Sequence, residues 1–499
     1  AGASSGMAMA HWEIQGWMIL ILGWVFVPFY SRSMVYTMPE FLERRYNPQS
    51  RTILSVISLV SYVLTKVAVT VYAGGLVFQQ VFGIKELWGI DFFWIAAIGL
   101  VVLTALYTIF GGMKSVLYTS VLQTPILLLG SLIILVLGFK ELGGWDEMMR
   151  VCGAVTVNDY GDAMTNLIRS NDDANFPWLG ALIGSAIIGF WYWCTDQFIV
   201  QRVLSGKNEK EARRGTIFGA YLKLLPVFLF LIPGMIAFAL HQKYIGAGGE
   251  GFLPMLANGT ANADAAFPTL VAKLLPAGVK GLVVCGILAA LMSSLASLFN
   301  SSAMLFTIDF YKRFRPETPE KKLVGIGQIA TVVIVILGIL WIPIMRSVGD
   351  VLYTYLQDVQ SVLAPGIAAA FLLGICWKRT SAQGGMWGLI AGMVIGLTRL
   401  GAKVYYSNAG EVADSTFKYL FYDMNWLFFC GWMFLFCIIV VIVVSLATEA
   451  PTAEKIQGLV FGTATKEQKA ATRASWDHWD IIHTAIILAI TAAFYWYFW

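Results

Sequence analysis

The sequence predicts an all-α polytopic membrane protein, and three observations carry this prediction. Apolar residues make up 58% of the 499 residues, whereas charged residues make up 13%, roughly half the share found in soluble domains. Apolar runs long enough to cross a bilayer recur along the chain, and basic residues cluster in alternate connections. The net charge of +4 carries no nucleic-acid signal. The six cysteines form no metal or disulfide motif.

Twelve runs approach or exceed the length of about 20 apolar residues that a transmembrane helix needs. In chain order they cover roughly 8–30, 52–80, 91–111, 115–138, 177–200, 215–241, 278–308, 323–345, 352–377, 384–405, 425–447 and 481–499. The seventh is longer than the rest, and we expect its helix to continue beyond the bilayer.

Lysine and arginine mark every second connection between these runs. They are Arg32, Arg44, Arg45 and Arg51; Arg202, Lys207, Lys210, Arg213 and Arg214; Lys312, Arg313, Arg315, Lys321 and Lys322; Lys378 and Arg379; and Lys455, Lys466, Lys469 and Arg473. Basic connections stay on the cytoplasmic side of a membrane. The alternation therefore agrees with twelve spans and predicts that both ends of this chain lie outside.

A few charged residues fall inside the apolar runs, where a charge is costly and usually faces a cavity or a partner. Lys223 is the clearest case, about halfway along the sixth run. It either belongs to a structural ion pair or donates hydrogen bonds to a polar solute, and its position allows both. Lys66 and Arg399 either lie nearer helix ends or can extend their charged groups to the membrane surface, and we assign them to structure. Glu13 lies near the outer end of the first run.

The fifth run contains the segment GFWYWCTDQFIVQR, residues 189–202. Its three consecutive aromatic residues either stack on a ligand or form part of an interfacial aromatic belt. Asp196 follows them, and we expect it to pair locally near the cytoplasmic end.

The ninth run begins with YTYLQDVQSVLAPG. Tyr353 and Gln357 are four residues apart, which places them on one helix face. Alternatively, this stretch is an extended outer loop with a late helix start. We expect Pro365 and Gly366 to interrupt the helix.

The seventh run contains LMSSLASLFNSS, residues 291–302, in which Ser293, Ser297 and Ser301 recur every four residues. Such a stripe of small residues is typical of close helix packing in membranes. Hydroxyl oxygens can also complete the shell of a weakly held monovalent cation, because hard cations prefer oxygen ligands. Spacing leaves both interpretations open.

Five segments together resemble the sodium–glucose cotransporters of the solute:sodium symporter family, in family order and across essentially the whole chain. They are YTMPEFLERRYN (36–47), ALYTIFGGM (105–113), WYWCTDQFIVQR (191–202), YLKLLP (221–226) and LMSSLASLFNSSAMLFTIDFYKR (291–313). The resemblance implies a LeuT-like fold, with two inverted five-helix repeats and ligand sites at broken helices. Residues 1–138 would be the remainder of the first repeat, 177–377 the second, and 384–499 additional C-terminal helices.

The resemblance also implies roles for individual residues. The implied substrate-binding residues are Glu13, Tyr192, Trp193, Lys223 and Gln357. Tyr192 would also be the inner gate and Tyr353 an outer-gate aromatic. The implied sodium ligands are Ala290, Ser293 and Ser294, which supply one carbonyl and two hydroxyls.

The chain departs from the family pattern at two further positions and at its start. Gly189 stands where the bacterial galactose symporter has a sugar-binding asparagine, and Ser120 stands where an aspartate linked to sodium is common. The opening AGASSGMAMAHWE resembles the end of the first core helix. We therefore expect the family's leading helix and most of the first core helix, which supplies half of the sodium shell, to be missing.

The implied function is sodium-coupled symport of a hexose such as glucose or galactose, by alternating access, in the plasma or inner membrane. Myo-inositol transport and a transport-inactive sugar sensor of the same fold remain alternatives. A proton-pumping oxidoreductase subunit, the enzymatic alternative, should carry mid-span charges in several helices, but only Lys223 is clearly such a charge. Sodium is expected as a co-transported ion, without an organic cofactor. The expected partners are the sugar, sodium and the bilayer.

Overall fold

The described chain is almost entirely helical. The computed structural model describes residues 2–33, 35–256, 259–348, 352–409 and 413–499. Its main helical segments are α1 Gly2–Ser33, α2 Met38–Arg45, α3 Pro48–Phe82, α4 Phe92–Leu142, α5 Trp145–Gly153, α6 Trp178–Thr195, α7 Gln197–Leu204, α8 Glu209–Gly246, α9 Ala266–Leu274, α10 Ala277–Phe314, α11 Glu320–Val348, α12 Leu352–Cys376, α13 Ala382–Asn408, α14 Trp426–Ala447, α15 Lys466–Ala474 and α16 His478–Tyr497.

Shorter elements connect these segments. They are the helical turns Ala263–Ala265, Thr416–Lys418, Tyr419–Asp423 and Ala453–Ile456, and a hairpin of strands Glu86–Leu87 and Ile90–Asp91. Within the described ranges, eleven segments contain a stretch long and apolar enough to cross a membrane: α1, α3, α4, α6, α8, α10, α11, α12, α13, α14 and α16. The all-α polytopic prediction is therefore confirmed.

The predicted connection between the third and fourth runs is wrong. The backbone remains helical from Phe92 to Leu142, so both runs fall on α4. Its two ends, Phe92–Leu106 and Gln123–Leu142, are separately apolar. Glycines do not prevent this continuity, because a glycine inside a helix costs only about 1 kcal/mol, which packing can offset.

Two predicted runs are broken helices instead of continuous ones. α1 turns at Ile14 and Gln15, between the helical pieces Ala10–Glu13 and Gly16–Ile21. α6 ends at Thr195, and the extended backbone of Asp196 (φ −77°, ψ 127°) begins α7. Broken helices at membrane depth are tolerated where they line a cavity or are buried in protein. The two breaks define where a ligand site can form.

The ninth run behaves in the opposite way. α12 continues through Pro365 and Gly366, so the predicted interruption is wrong, and its start at Leu352 rules out the late helix start. Proline is tolerated in membrane helices because neighbours satisfy the freed backbone groups. A Cβ at Gly366 would lie only 2.9 Å from the Cα of Gly392 on α13. This close approach of the two backbones explains the glycines.

Packing separates a buried centre from an apolar outer surface. α4 packs most extensively against α10, while α12, α13 and α14 form a second closely packed group. Large apolar side chains remain exposed on the outer helices, for example Ile329 at 67%, Leu340 at 65% and Trp432 at 63%. A bilayer would cover this surface.

Candidate functional site

Six side chains that the sequence singled out line one cavity of about 210 Å³ next to the two helix breaks. They are Glu13, Tyr192, Trp193, Lys223, Tyr353 and Gln357. Pockets for drug-sized ligands span about 300–1,000 Å³. The cavity is therefore suited to a single small solute.

Local backbone features position these side chains. Glu13 is the last residue of its helical piece, directly before the turn in α1. Tyr192 and Trp193 lie in a stretch of π-helix, Phe190–Thr195, at the end of α6. π-helical turns often occur at functional sites, because they redirect side chains out of the regular helix face.

An ion pair forms the polar centre of the cavity. Lys223 Nζ lies 2.7 Å from Glu13 Oε2, and both side chains are largely buried, at 15% and 17% exposure. The Tyr353 hydroxyl donates to Glu13 Oε1 at 2.5 Å. The ion-pair interpretation of Lys223 is thus correct, and it does not exclude the ligand interpretation, because the pair itself lines the cavity.

Two polar atoms of the cavity residues are buried without a hydrogen-bond partner in the part of the chain that the structure describes. They are Trp12 Nε1, which can only donate, and Gln357 Oε1, which can only accept. A buried polar atom without a partner costs roughly 1–3 kcal/mol. A ligand with hydroxyl groups can both accept from the indole and donate to the amide.

Besides Ile188, Gly189 and Leu356, the cavity is lined by three residues that carry polar groups and that sequence reasoning did not assign to the site: Trp12, Gln15 and Gln360. Gln15 is two residues from Glu13, and Gln360 is three residues from Gln357. Two polar residues close together in an apolar run are a signal that would have found both glutamines. Trp12 carries no such signal, because tryptophan is common throughout this chain.

A second buried ion pair lies behind the aromatic wall. Asp196 accepts a hydrogen bond from Lys66 and another from the Tyr62 hydroxyl at 2.8 Å. The Lys66 ammonium lies 4.9 Å from the centre of the Tyr192 ring. The expectation that Asp196 pairs locally is therefore wrong for its charge: the cation that pairs with it, Lys66, belongs to α3, more than 100 residues away in the sequence, and its local contact is the hydrogen bond from the Phe198 amide. The structural assignment of Lys66 is correct.

The predicted sodium ligands lie on α10 and do not line this cavity. The Ser293 hydroxyl lies 2.5 Å from the hydroxyl of Ser120. Ser120, which stands where the family commonly has an aspartate, therefore contacts one of the predicted sodium ligands. Ser294 is exposed, and Ala290 is half-buried. The structure brings the three together on one helix, without a complete oxygen shell in the described ranges.

The other serines of the stripe are buried within the helix bundle. Ser301 and Ser302 are fully buried, in keeping with packing. Ser297 does more than pack, because its hydroxyl accepts a hydrogen bond from Arg202 at 2.6 Å. This contact joins α7 to α10.

Comparison with known families gives one match that covers most of the chain. The model of the Sodium:solute symporter family matches residues 1–392.

Curated relatives agree with this match over nearly the full chain. A sodium/mannose cotransporter from Bos taurus is 36% identical, over 97% of this chain and 83% of that protein. The sodium/myo-inositol cotransporter 2 of Homo sapiens is 35% identical, over 93% and 70%. The sodium/glucose cotransporter 4 of Danio rerio is 34% identical, over 95% and 73%.

A solved structure has the same fold. It is the substrate-bound outward-open state of a Na⁺-coupled sialic acid symporter, with a TM-score of 0.68 at 21% identity, covering 90% of this chain and 88% of that chain.

Proposed function

This chain belongs to the sodium:solute symporter family, and on that premise we propose that it carries a hexose across the cell membrane together with sodium. Family membership makes it a multi-pass membrane protein that couples solute movement to sodium, and it excludes the oxidoreductase alternative. The observation that carries the proposal is the cavity next to the two helix breaks, which is lined by an ion pair and by two residues, Trp12 and Gln357, that each have a polar atom without a partner in the described part of the chain.

The cavity offers the hydrogen-bond groups that a sugar requires. Lys223 donates and Glu13 accepts, while Gln357 has a free acceptor oxygen. Each sugar hydroxyl is both a donor and an acceptor, so it can bridge such groups. The rings of Tyr192 and Trp193 are 5.0 Å apart at 81° and supply an apolar wall for the face of a sugar ring. These residues and Tyr353 are our proposed substrate site.

Tyr192 and Tyr353 are the proposed gates. Tyr353 is tied to Glu13, and Tyr192 lies against Lys66. In alternating access, each aromatic closes one end of the cavity while the other end opens. Residues 1–138 and 177–377 would move relative to each other as the two repeats, and 384–499 would add peripheral helices.

Sodium is proposed to bind at Ala290, Ser293 and Ser294. A sodium ion moving through 100 mV releases about 2.3 kcal/mol, and a tenfold sodium gradient adds about 1.4 kcal/mol. Together these energies support roughly 500-fold accumulation of the solute. One sodium per sugar is therefore sufficient, in agreement with a hydroxyl instead of a carboxylate at Ser120.

The test is uptake into proteoliposomes that contain the product of the intact gene. Radiolabelled glucose, galactose, mannose and myo-inositol are each supplied under an inward sodium gradient and under a matched potassium gradient. We expect sodium-dependent accumulation of a hexose, abolished by a sodium ionophore. Equal uptake in both gradients would refute symport. Sodium-dependent binding without accumulation would instead indicate a sugar sensor.

Myo-inositol is the second candidate substrate. It is supported by the human sodium/myo-inositol cotransporter, which matches 93% of this chain. A cyclic polyol presents adjacent ring hydroxyls, as a hexose does, but it has neither a ring oxygen nor a hydroxymethyl group. Competition between the two solutes in the uptake assay decides which is preferred.

Ser294→Ala is expected to raise the sodium concentration for half-maximal uptake by about tenfold, the effect of losing roughly 1.4 kcal/mol of ion binding. The KM for sugar at saturating sodium should change little, because Ser294 does not line the sugar cavity. Ser301→Ala, two helical turns away on the same helix, is the matched control. Unchanged sodium dependence in Ser294→Ala would remove this residue from the sodium site.

A further inference from the structure

We propose that Gln15 is a substrate-binding residue that helps to determine which sugar is accepted, and that Gly189 is present to make room for it. The inference rests on the proposed function. Both residues line the cavity, and they come from its two broken helices, α1 and α6.

The orientation of the Gln15 amide follows from its one hydrogen bond. Gln15 is 3% exposed, and its Nε2 donates to the backbone carbonyl of Ser185 at 2.8 Å. A carbonyl can only accept, so the nitrogen must face Ser185 and the oxygen must face away from it. In the part of the chain that the structure describes, Gln15 Oε1 accepts no hydrogen bond. A buried acceptor is thus held at the cavity wall for a ligand.

Gly189 touches this amide directly. A Cβ at position 189 would lie 2.7 Å from Gln15 Oε1, 3.0 Å from its Cδ and 3.1 Å from its Nε2. Any side chain on Gly189 therefore has to displace the amide. The backbone of Gly189 is ordinary helix, so a need for conformational freedom does not explain the glycine. The absence of a side chain explains it, because this leaves room for the Gln15 amide.

The consequence is that α1, and not α6, supplies an amide at this point of the cavity. Gln15 Oε1 accepts from a hydroxyl of the solute, close to Glu13. Two neighbouring acceptors on α1 favour a solute with two adjacent hydroxyl donors. A solute that lacks one of these hydroxyls leaves a buried acceptor unpaired, which is the strongest source of discrimination available to a polar site.

The test compares uptake of a transported hexose with that of its monodeoxy analogues, each lacking one hydroxyl. We expect Gln15→Ala to raise the KM for the parent sugar by about tenfold, the upper end for a neutral hydrogen bond, without changing the sodium concentration for half-maximal uptake. For the analogue that lacks the hydroxyl bound by Gln15, the wild type and Gln15→Ala should have the same KM, because neither protein can form that hydrogen bond. Gln328→Ala, on α11 outside the cavity, is the matched control.

Gly189 provides two further variants. Gly189→Ala should reproduce the KM increase of Gln15→Ala, because its Cβ displaces the same amide. The double variant Gln15→Ala/Gly189→Asn moves an amide to the other helix and should recover at least part of the lost affinity. This recovery would show that the single variants fold.

The outcomes separate this inference from the proposed function. Without sodium-driven uptake by the wild type, the proposed function fails and the inference fails with it. Only the inference fails if the wild type transports a hexose and Gln15→Ala behaves like the wild type. In that case the variant has the wild-type KM for the hexose and the same order of preference among the analogues. An equal KM increase for every analogue would also overturn it, because that result indicates a structural role through Ser185.

Discussion

Lys223→Ala is expected to reduce sodium-driven sugar uptake by roughly 10- to 150-fold. The change removes the charged donor in the cavity, and a hydrogen bond to a charged group contributes roughly 1.5–3 kcal/mol. It also leaves the Glu13 carboxylate, 17% exposed, without its cation. Breaking a buried ion pair on one side typically costs about 3–5 kcal/mol. Uptake kinetics in proteoliposomes and the amount of folded protein measure the two effects separately.

A paired variant separates substrate binding from stability. Lys223→Met/Glu13→Gln removes both charges, so it should recover folded protein while uptake remains lost. Lys207→Ala, an exposed lysine in the connection after α7, is the control for removal of a positive charge. If Lys223→Ala folds and keeps the wild-type KM for sugar, Lys223 is not part of the substrate site.

Asp196→Ala is expected to destabilise the fold by about 3–5 kcal/mol. Asp196 is 4% exposed and forms an ion pair with Lys66. It also accepts a hydrogen bond from the Tyr62 hydroxyl at 2.8 Å and caps α7 by accepting from the Phe198 amide at 3.0 Å. The alanine variant leaves the Lys66 ammonium buried and uncompensated. Thermal denaturation of detergent-solubilised protein, followed by size-exclusion chromatography, should give a lower Tm.

Two variants test the cause of this loss. Asp196→Asn keeps an acceptor for the cap and should be less destabilising than Asp196→Ala. Lys66→Met/Asp196→Asn removes both charges and should recover further stability, because a neutral pair leaves no buried charge. A wild-type Tm for Asp196→Ala would show that the ion pair does not stabilise the fold. A double variant no more stable than Asp196→Asn would show that the unpaired charge is not the cause.

Hydropathy predicted the architecture well because transfer into a bilayer depends mainly on the summed cost of each residue in a run. The predicted runs fall on helices of the structure, although two of the twelve share the single helix α4, and the fold match confirms the class. The summed transfer cost of a run does not show whether its helix is continuous. It missed the uninterrupted α4 and the break at Asp196, because packing and capping decide whether a backbone bends.

The candidate site was predicted in part. The resemblance singled out six side chains, from Glu13 to Gln357, and the structure brings all six to one cavity. Their roles remain predictions, as do those of Ala290, Ser293 and Ser294. Gln15 lies two residues from Glu13 in an apolar run, and this was the signal that the sequence offered for it. Its contacts with Ser185 and Gly189 depend on two helices together, and neither sequence segment encodes them alone.

The sequence by itself determined which segments enter the membrane, which charges are buried there, and which family the chain resembles. These are properties of single residues and of short motifs. The tertiary structure decided which buried charges pair: Lys223 with Glu13, and Lys66 with Asp196. The physical reason is that a charge in a medium of low polarity is stabilised by an opposite charge or a polar group within a few ångströms of it. Separation along the sequence does not determine which group lies that close.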